Sequence, residues 1–152
     1  MQKSDFFSKV QPGAIQSALL NIPVSFTIAQ AALESAWGES KLTLQANNLF
    51  GIKADKSWTG KTVMMPTREF VNKQWITINS LWRSYNNWTE SILDHSKFIH
   101  DNPRYRFCFI SKLDGLAFAK AIQAAGYATD PDYSNKIISI INSNNLLELD
   151  TK

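Results

Sequence analysis

The segment Phe26–Trp37 is apolar nearly all round, and its strongly polar side chains are Thr27, Gln30, Glu34 and Ser35. Thr27, Gln30 and Glu34 fall at i, i+3 and i+7, one stripe of a single helix face. A carboxyl on an otherwise buried helix is desolvated, and desolvation raises its pKa. That is the tuning a carboxylic acid needs to donate a proton near neutral pH. Read alone, the same stripe also fits a narrow solvent face of an ordinary surface helix. Glu69 follows 35 residues later, in a segment with strand character, on the same face as Thr67. Two carboxyls on different elements can flank a glycosidic bond. A solvent-facing strand glutamate would have the same pattern.

Two loops add polar and aromatic groups. Asn47-Asn48-Leu49-Phe50-Gly51-Ile52-Lys53 offers amides for hydroxyl or acetamido groups and a flat ring for a sugar face. Asn and Gly also favour turns for backbone reasons alone. Gly126-Tyr127-Ala128-Thr129-Asp130-Pro131 connects two helical patterns, with Tyr127 either a cleft wall or a core plug. Other constellations are weaker. Asp94-His95 and His100 are too few for a metal site. Ser91 and His95, four residues apart, lack a triad setting, and His95 is expected to be a packed or surface helix residue. There is no glycine-rich phosphate loop. Cys108, between Phe107 and Phe109, is expected to be a buried hydrophobe.

The elements that must position these groups are mostly helical. Ser4 starts a helix interrupted near Pro12-Gly13 and resumed through Leu20. Val24–Trp37 is the clearest helix, with Gly38 as its stop. Ser40 caps a short helix through Gln45, and residues 47–56 form a loop. Residues 61–85 alternate like a β-hairpin, with Pro66 marking an edge or bulge. Helices follow over Thr89–His100 and from the Asp114 cap to Ala125, with Gly126 as a stop. A last helix starts at Asp130-Pro131, Pro131 fitting its first turn.

With 152 residues the chain is the size of one domain. Hydrophobic residues make up 44% and charged residues 19%, which excludes intrinsic disorder. No apolar run is long enough for a membrane span. One cysteine forms no internal disulfide. The net charge is +3, and the charges are scattered rather than gathered into a nucleic-acid-binding stripe. The five Trp suit either a core or a groove that stacks on sugar rings. The N-terminal residues lack the basic head and continuous apolar stretch of a secretory signal. Export, if needed, would therefore call for a lysis system, a specialised secretion apparatus or a longer parent chain.

Taken together, the Thr27–Gly38 and Asn47–Lys53 segments, Thr67-Arg68-Glu69-Phe70, Arg83-Ser84-Tyr85, Pro103-Arg104-Tyr105 and Gly126–Pro131 resemble glycoside hydrolase family 73 in the same order. These are bacterial and phage peptidoglycan N-acetylglucosaminidases. The resemblance covers residues 22–150 and leaves 1–21 as an N-terminal helical extension of a single domain. It implies a lysozyme-like α+β fold, a mainly helical lobe and a β-hairpin lobe flanking a substrate groove. It implies Glu34 as the catalytic acid, Glu69 as a second catalytic carboxylate whose role varies, and Tyr127 as a cleft tyrosine linked to activity. Gln30, Asn48, Phe50, Gly51, Tyr85, Tyr105 and Asp130 are the implied substrate-binding residues, with no metal and no cofactor. Phe70 departs from the Tyr common after the hairpin glutamate, and the cell-wall-binding repeats of many members are missing. The implied substrate is the peptidoglycan glycan strand, and an immunity protein or a secretion or lysis component is a further possible partner. The rival readings are a lytic transglycosylase or muramidase on the same glycan, and a non-catalytic peptidoglycan-binding module.

Overall fold

The computed structural model describes residues 1–151. Helix α1 (Lys3–Ser17) continues unbroken through Pro12, where the sequence suggested a break. The reason is tertiary. α1 packs closely on α4 (Trp88–Asp101) at Gly13, where an added Cβ would lie 2.9 Å from Ile92 Cδ1. Phe6, Val10 and Ala14 on the same helix are fully buried, so the packed face outweighs one missing N–H. Helix α1 thus contributes Phe6, Val10 and Ala14 to the core.

Helix α2 (Val24–Glu34) is the central rod, with Val24 to Ala32 all buried. Ala29, Ala31 and Ala32 let neighbouring helices approach it closely. It ends three residues before the expected Trp37. Ser35 closes the last turn, its hydroxyl donating to Ala31 O at 2.6 Å and accepting from Gly38 N at 2.9 Å. Ala36, Trp37 and Gly38 then all take positive φ. Gly38 is required there twice over, because a Cβ would also meet Trp88 Cη2 at 2.6 Å.

Ser40 caps the short α3 (Lys41–Ala46), accepting from Thr43 N as the sequence indicated. The hairpin pairs β1 (Thr62–Val71) with β2 (Gln74–Arg83) in an unbroken register from Thr62↔Arg83 to Val71↔Gln74. Pro66 sits opposite Asn79 without a bulge. In a two-stranded ribbon both strands are edges, so its missing donor costs little. The turn is Asn72-Lys73, both at positive φ.

Asn87 caps α4, a short 3₁₀ segment follows over Pro103–Phe109, and Asp114 caps α5 (Gly115–Ala124). The last helix, α6 (Tyr133–Ser143), begins two residues after Pro131 rather than with it. Asp130 instead accepts from Asp132 N, forming a turn before the helix. A 3₁₀ segment over Leu146–Thr151 closes the helical lobe. There Asp150 accepts from Ser25 N and Ser25 Oγ at the start of α2 and from Gly115 N at the start of α5. Among the described residues no helix is long and apolar enough to cross a membrane.

Candidate active site

Glu34 is the last residue of α2, so the buried rod delivers its carboxyl to the edge of a cleft. The cleft has a volume of about 430 Å³ and is walled by Glu34, Phe50, Ile52, Asp55, Arg83, His95, Phe98, Tyr105, Tyr127 and Ala128. A second open cavity beside it shares Arg83 and Phe98 and extends to Trp58 and Asn102, so the two form one groove. Burial raises the Glu34 pKa, partly offset by a hydrogen bond from Tyr133. Its place at a helix C-terminus, the negative end of the dipole, acts in the same direction as burial.

Beneath Glu34 lies a chain of buried polar groups. Tyr133 OH donates to Glu34 Oε1 at 2.7 Å, and Gln30 Nε2 donates to Tyr133 OH at 3.0 Å. Gln30 Oε1 lies 3.1 Å from His95 Nε2, which is also 3.1 Å from Tyr127 OH. Thr27 and Gln30 are buried, so the polar stripe of α2 faces inward. Burial holds His95 neutral, pushing its pKa down to about 3. Its ring stacks on Phe50 at 4.0 Å between centroids. Tyr127 stacks on Tyr133 at 5.5 Å, and burial raises the pKa of both phenols, keeping them protonated.

The loop that presents Phe50 is fastened by its own amides. Asn48 Nδ2 donates to Ile52 O and Arg83 O, and Asn48 Oδ1 accepts from Ile52 N. Asn47 Nδ2 donates to Tyr85 O. Arg83 is the hub of the hairpin base. Its guanidinium pairs with Asp94 at 2.8 Å and Asp55 at 3.3 Å and lies over the Trp58 ring.

Of the residues singled out in the sequence, the structure gathers Glu34, Phe50, Tyr105 and Tyr127 around the cleft, with Gln30 below them. Asn48 lies buried in the loop scaffold, and Gly51 is an exposed left-handed position on it. The Tyr85 hydroxyl is turned onto Asp94, and Asp130 is paired on the surface with Lys136. Glu69 lies up the hairpin on the face shared with Thr67, Ile76 and Ile78, where Lys53 Nζ holds it at 2.8 Å; it does not wall the Glu34 cleft. Sequence patterns do not point to Tyr133, and they give His95 only the place of a packed or surface helix residue. Neither carries a local signal, since their partners lie 32 to 103 residues away. Among the described residues no cluster of three or more His, Cys, Asp or Glu could hold a metal ion.

A helical lobe and a hairpin lobe flanking a groove, with one desolvated glutamate at the end of a central helix, define a lysozyme-like glycoside hydrolase domain. The family model described as mannosyl-glycoprotein endo-beta-N-acetylglucosaminidase matches residues 14–146, and the chain belongs to this glucosaminidase family. It is 38% identical over 139 residues to the peptidoglycan hydrolase FlgJ of Vibrio parahaemolyticus, covering 89% of this chain and 45% of that protein. It is 40% identical over 130 residues to the exo-glucosaminidase LytG of Bacillus subtilis, covering 83% of this chain and 45% of that protein. The chain thus spans less than half the length of these relatives. The catalytic domain of the autolysin Auto from Listeria monocytogenes superposes with a TM-score of 0.88 at 32% identity, covering 97% of this chain and 87% of that one.

Proposed function

We propose that the domain hydrolyses the β-1,4 bond after N-acetylglucosamine within peptidoglycan glycan strands, acting at the bacterial cell wall. The observation that carries this reading is Glu34: a carboxyl with a raised pKa, in a groove walled by aromatic rings, in a chain of the glucosaminidase family. Protonated Glu34 keeps Oε1 as the acceptor of the Tyr133 bond and holds its own proton on Oε2. From there it protonates the leaving glycosidic oxygen. Phe50, Tyr105 and Tyr127 provide ring faces and a hydroxyl for the sugar and its acetamido group. A groove that continues from the Glu34 cleft to Trp58 and Asn102 suits a chain bound along its length, hence internal cleavage.

The second half of the reaction turns on Glu69. In the resting hairpin its carboxylate is neutralised by Lys53 away from the Glu34 cleft. A glycan that draws the hairpin inward would bring Glu69 to the opposite face of the sugar, to activate water or to stabilise the cationic ring. Without that closure the substrate's own acetamido group serves as the nucleophile, as in other substrate-assisted enzymes.

Digestion of purified peptidoglycan, borohydride reduction and mass analysis of the new ends test the reading. Reducible N-acetylglucosamine ends are expected. Ends in 1,6-anhydro-N-acetylmuramic acid, lighter by one water and not reducible, would make the domain a lytic transglycosylase. Intact glycan after tight binding would make it a binding module.

A further inference from the structure

His95 is buried, belongs to none of the reacting groups above, and yet joins the two tyrosines of the site. Its Nδ1 is buried with no hydrogen-bond partner among the described residues. A proton on Nδ1 would be a buried donor without an acceptor, which is costlier than a bare lone pair. The ring proton therefore belongs on Nε2. That choice sets every other proton in the chain. Nε2–H requires an oxygen opposite, so Gln30 presents Oε1 to His95 and its NH₂ to Tyr133. The Tyr133 oxygen is then an acceptor from Gln30, and its single proton goes to Glu34. Tyr127 OH shares the same Nε2–H as an acceptor, so its own proton is not spent on His95.

We infer that His95 is a positioning residue that fixes the direction of this hydrogen-bond chain, turning the Tyr133 hydroxyl onto Glu34 and holding Tyr127 as an acceptor. The inference rests on the reading of Glu34 as the general acid. Losing the bond from Tyr133 removes a group that favours ionised Glu34, so the Glu34 pKa rises. Activity that requires protonated Glu34 falls at high pH, and its alkaline limb therefore moves upward when the relay is broken. The groups facing the relay are Glu34 on α2, Asp94 next to His95 and held by Arg83 and Tyr85, and the phenols of Tyr127 and Tyr133. Asp55 shares the Glu34 cleft. His95→Phe keeps a ring to stack on Phe50 while deleting the relay, and His95→Gln restores a donor near Nε2.

The test has two parts. Nitrogen-15 NMR of His95 in the intact wild-type chain should show the proton on Nε2 and Nδ1 bare, with the ring neutral down to about pH 4, given a pKa of about 3. His95→Phe should lower kcat roughly 10–100-fold, the range for outer partners of a reacting group, with KM nearly unchanged. Its alkaline limb should move up, His95→Gln should bring it back, and in a Tyr133→Phe background His95→Phe should no longer move it. A proton on Nδ1, or a folded His95→Phe protein with unchanged kcat and limb, overturns the inference. The NMR result decides even where His95→Phe fails to fold. Because it does not depend on turnover, it also stands apart from the assignment of Glu34, which fails separately if Glu34→Gln is active.

Discussion

Tyr133 donates a 2.7 Å hydrogen bond to Glu34 Oε1 from a position 99 residues further along the chain. This one contact joins the start of α6 to the end of α2 and opposes the desolvation that raises the Glu34 pKa. The acid is therefore tuned from two sides, by burial that favours its protonated form and by a phenol that favours its carboxylate.

Replacing Glu34 by Gln should abolish most turnover, since a positioned general acid contributes roughly 10²–10⁴-fold. The fold should survive, and near neutral pH the variant should melt higher than the wild type. The folded-state pKa of Glu34 lies above its unfolded value, so native protein binds this proton more tightly. The stabilisation is fully present below about pH 4.5 and is lost as pH rises through the folded pKa. Gln carries no charge to bury, so its advantage should grow from pH 4 to pH 7 in paired melting curves. Wall-clearing activity near the wild-type level would remove Glu34 from the mechanism.

Tyr133→Phe should move the alkaline limb of kcat upward by about one pH unit, the size expected when a charged carboxylate loses a hydrogen bond. A pH–rate series on a defined glycan measures this directly. A limb that stays in place would mean Tyr133 does not tune Glu34.

Glu69→Gln should cost at least roughly tenfold in activity if the hairpin carboxylate takes part in catalysis. Melting should change little, because an exposed pair such as Lys53–Glu69 contributes about 0–1 kcal/mol. Unchanged activity would favour the acetamido-assisted route, whereas a large loss of stability would make Glu69 a structural residue.

Asp150 should be a stability residue far from the chemistry. Asp150→Ala leaves Ser25 N, Ser25 Oγ and Gly115 N without their acceptor at two helix starts. The expected loss is about 1.5–3 kcal/mol, the range for hydrogen bonds to a charged group. Calorimetry should show a lower Tm, while kcat of the folded fraction stays at the wild-type value. An unchanged Tm would mean water replaces the carboxylate at no cost.

Much of the scaffold is legible from local chemistry. The apolar run of α2, the Ser40 and Asp114 caps, the alternation of the hairpin and the stop at Gly126 each depend on contacts within a few residues. The order of motifs from Thr27 to Pro131 likewise marks the family and points to Glu34. Local signals failed where packing or a distant partner decided. Pro12 should break α1 by backbone chemistry alone, but the fit of Gly13 against Ile92 carries the helix through it. The Thr27–Gln30–Glu34 stripe has the spacing of a solvent face, and only helices arriving from elsewhere turn it inward. Gln30 finds His95 65 residues away and Tyr133 103 residues away, so their types and spacing in the sequence carry no trace of the pairing. Residue types determined which chemistry was available; the packing of α2 against α6, and the reach of the His95 side chain from α4 to Gln30, decided which protons it can use, because hydrogen-bond direction is set only where buried groups meet.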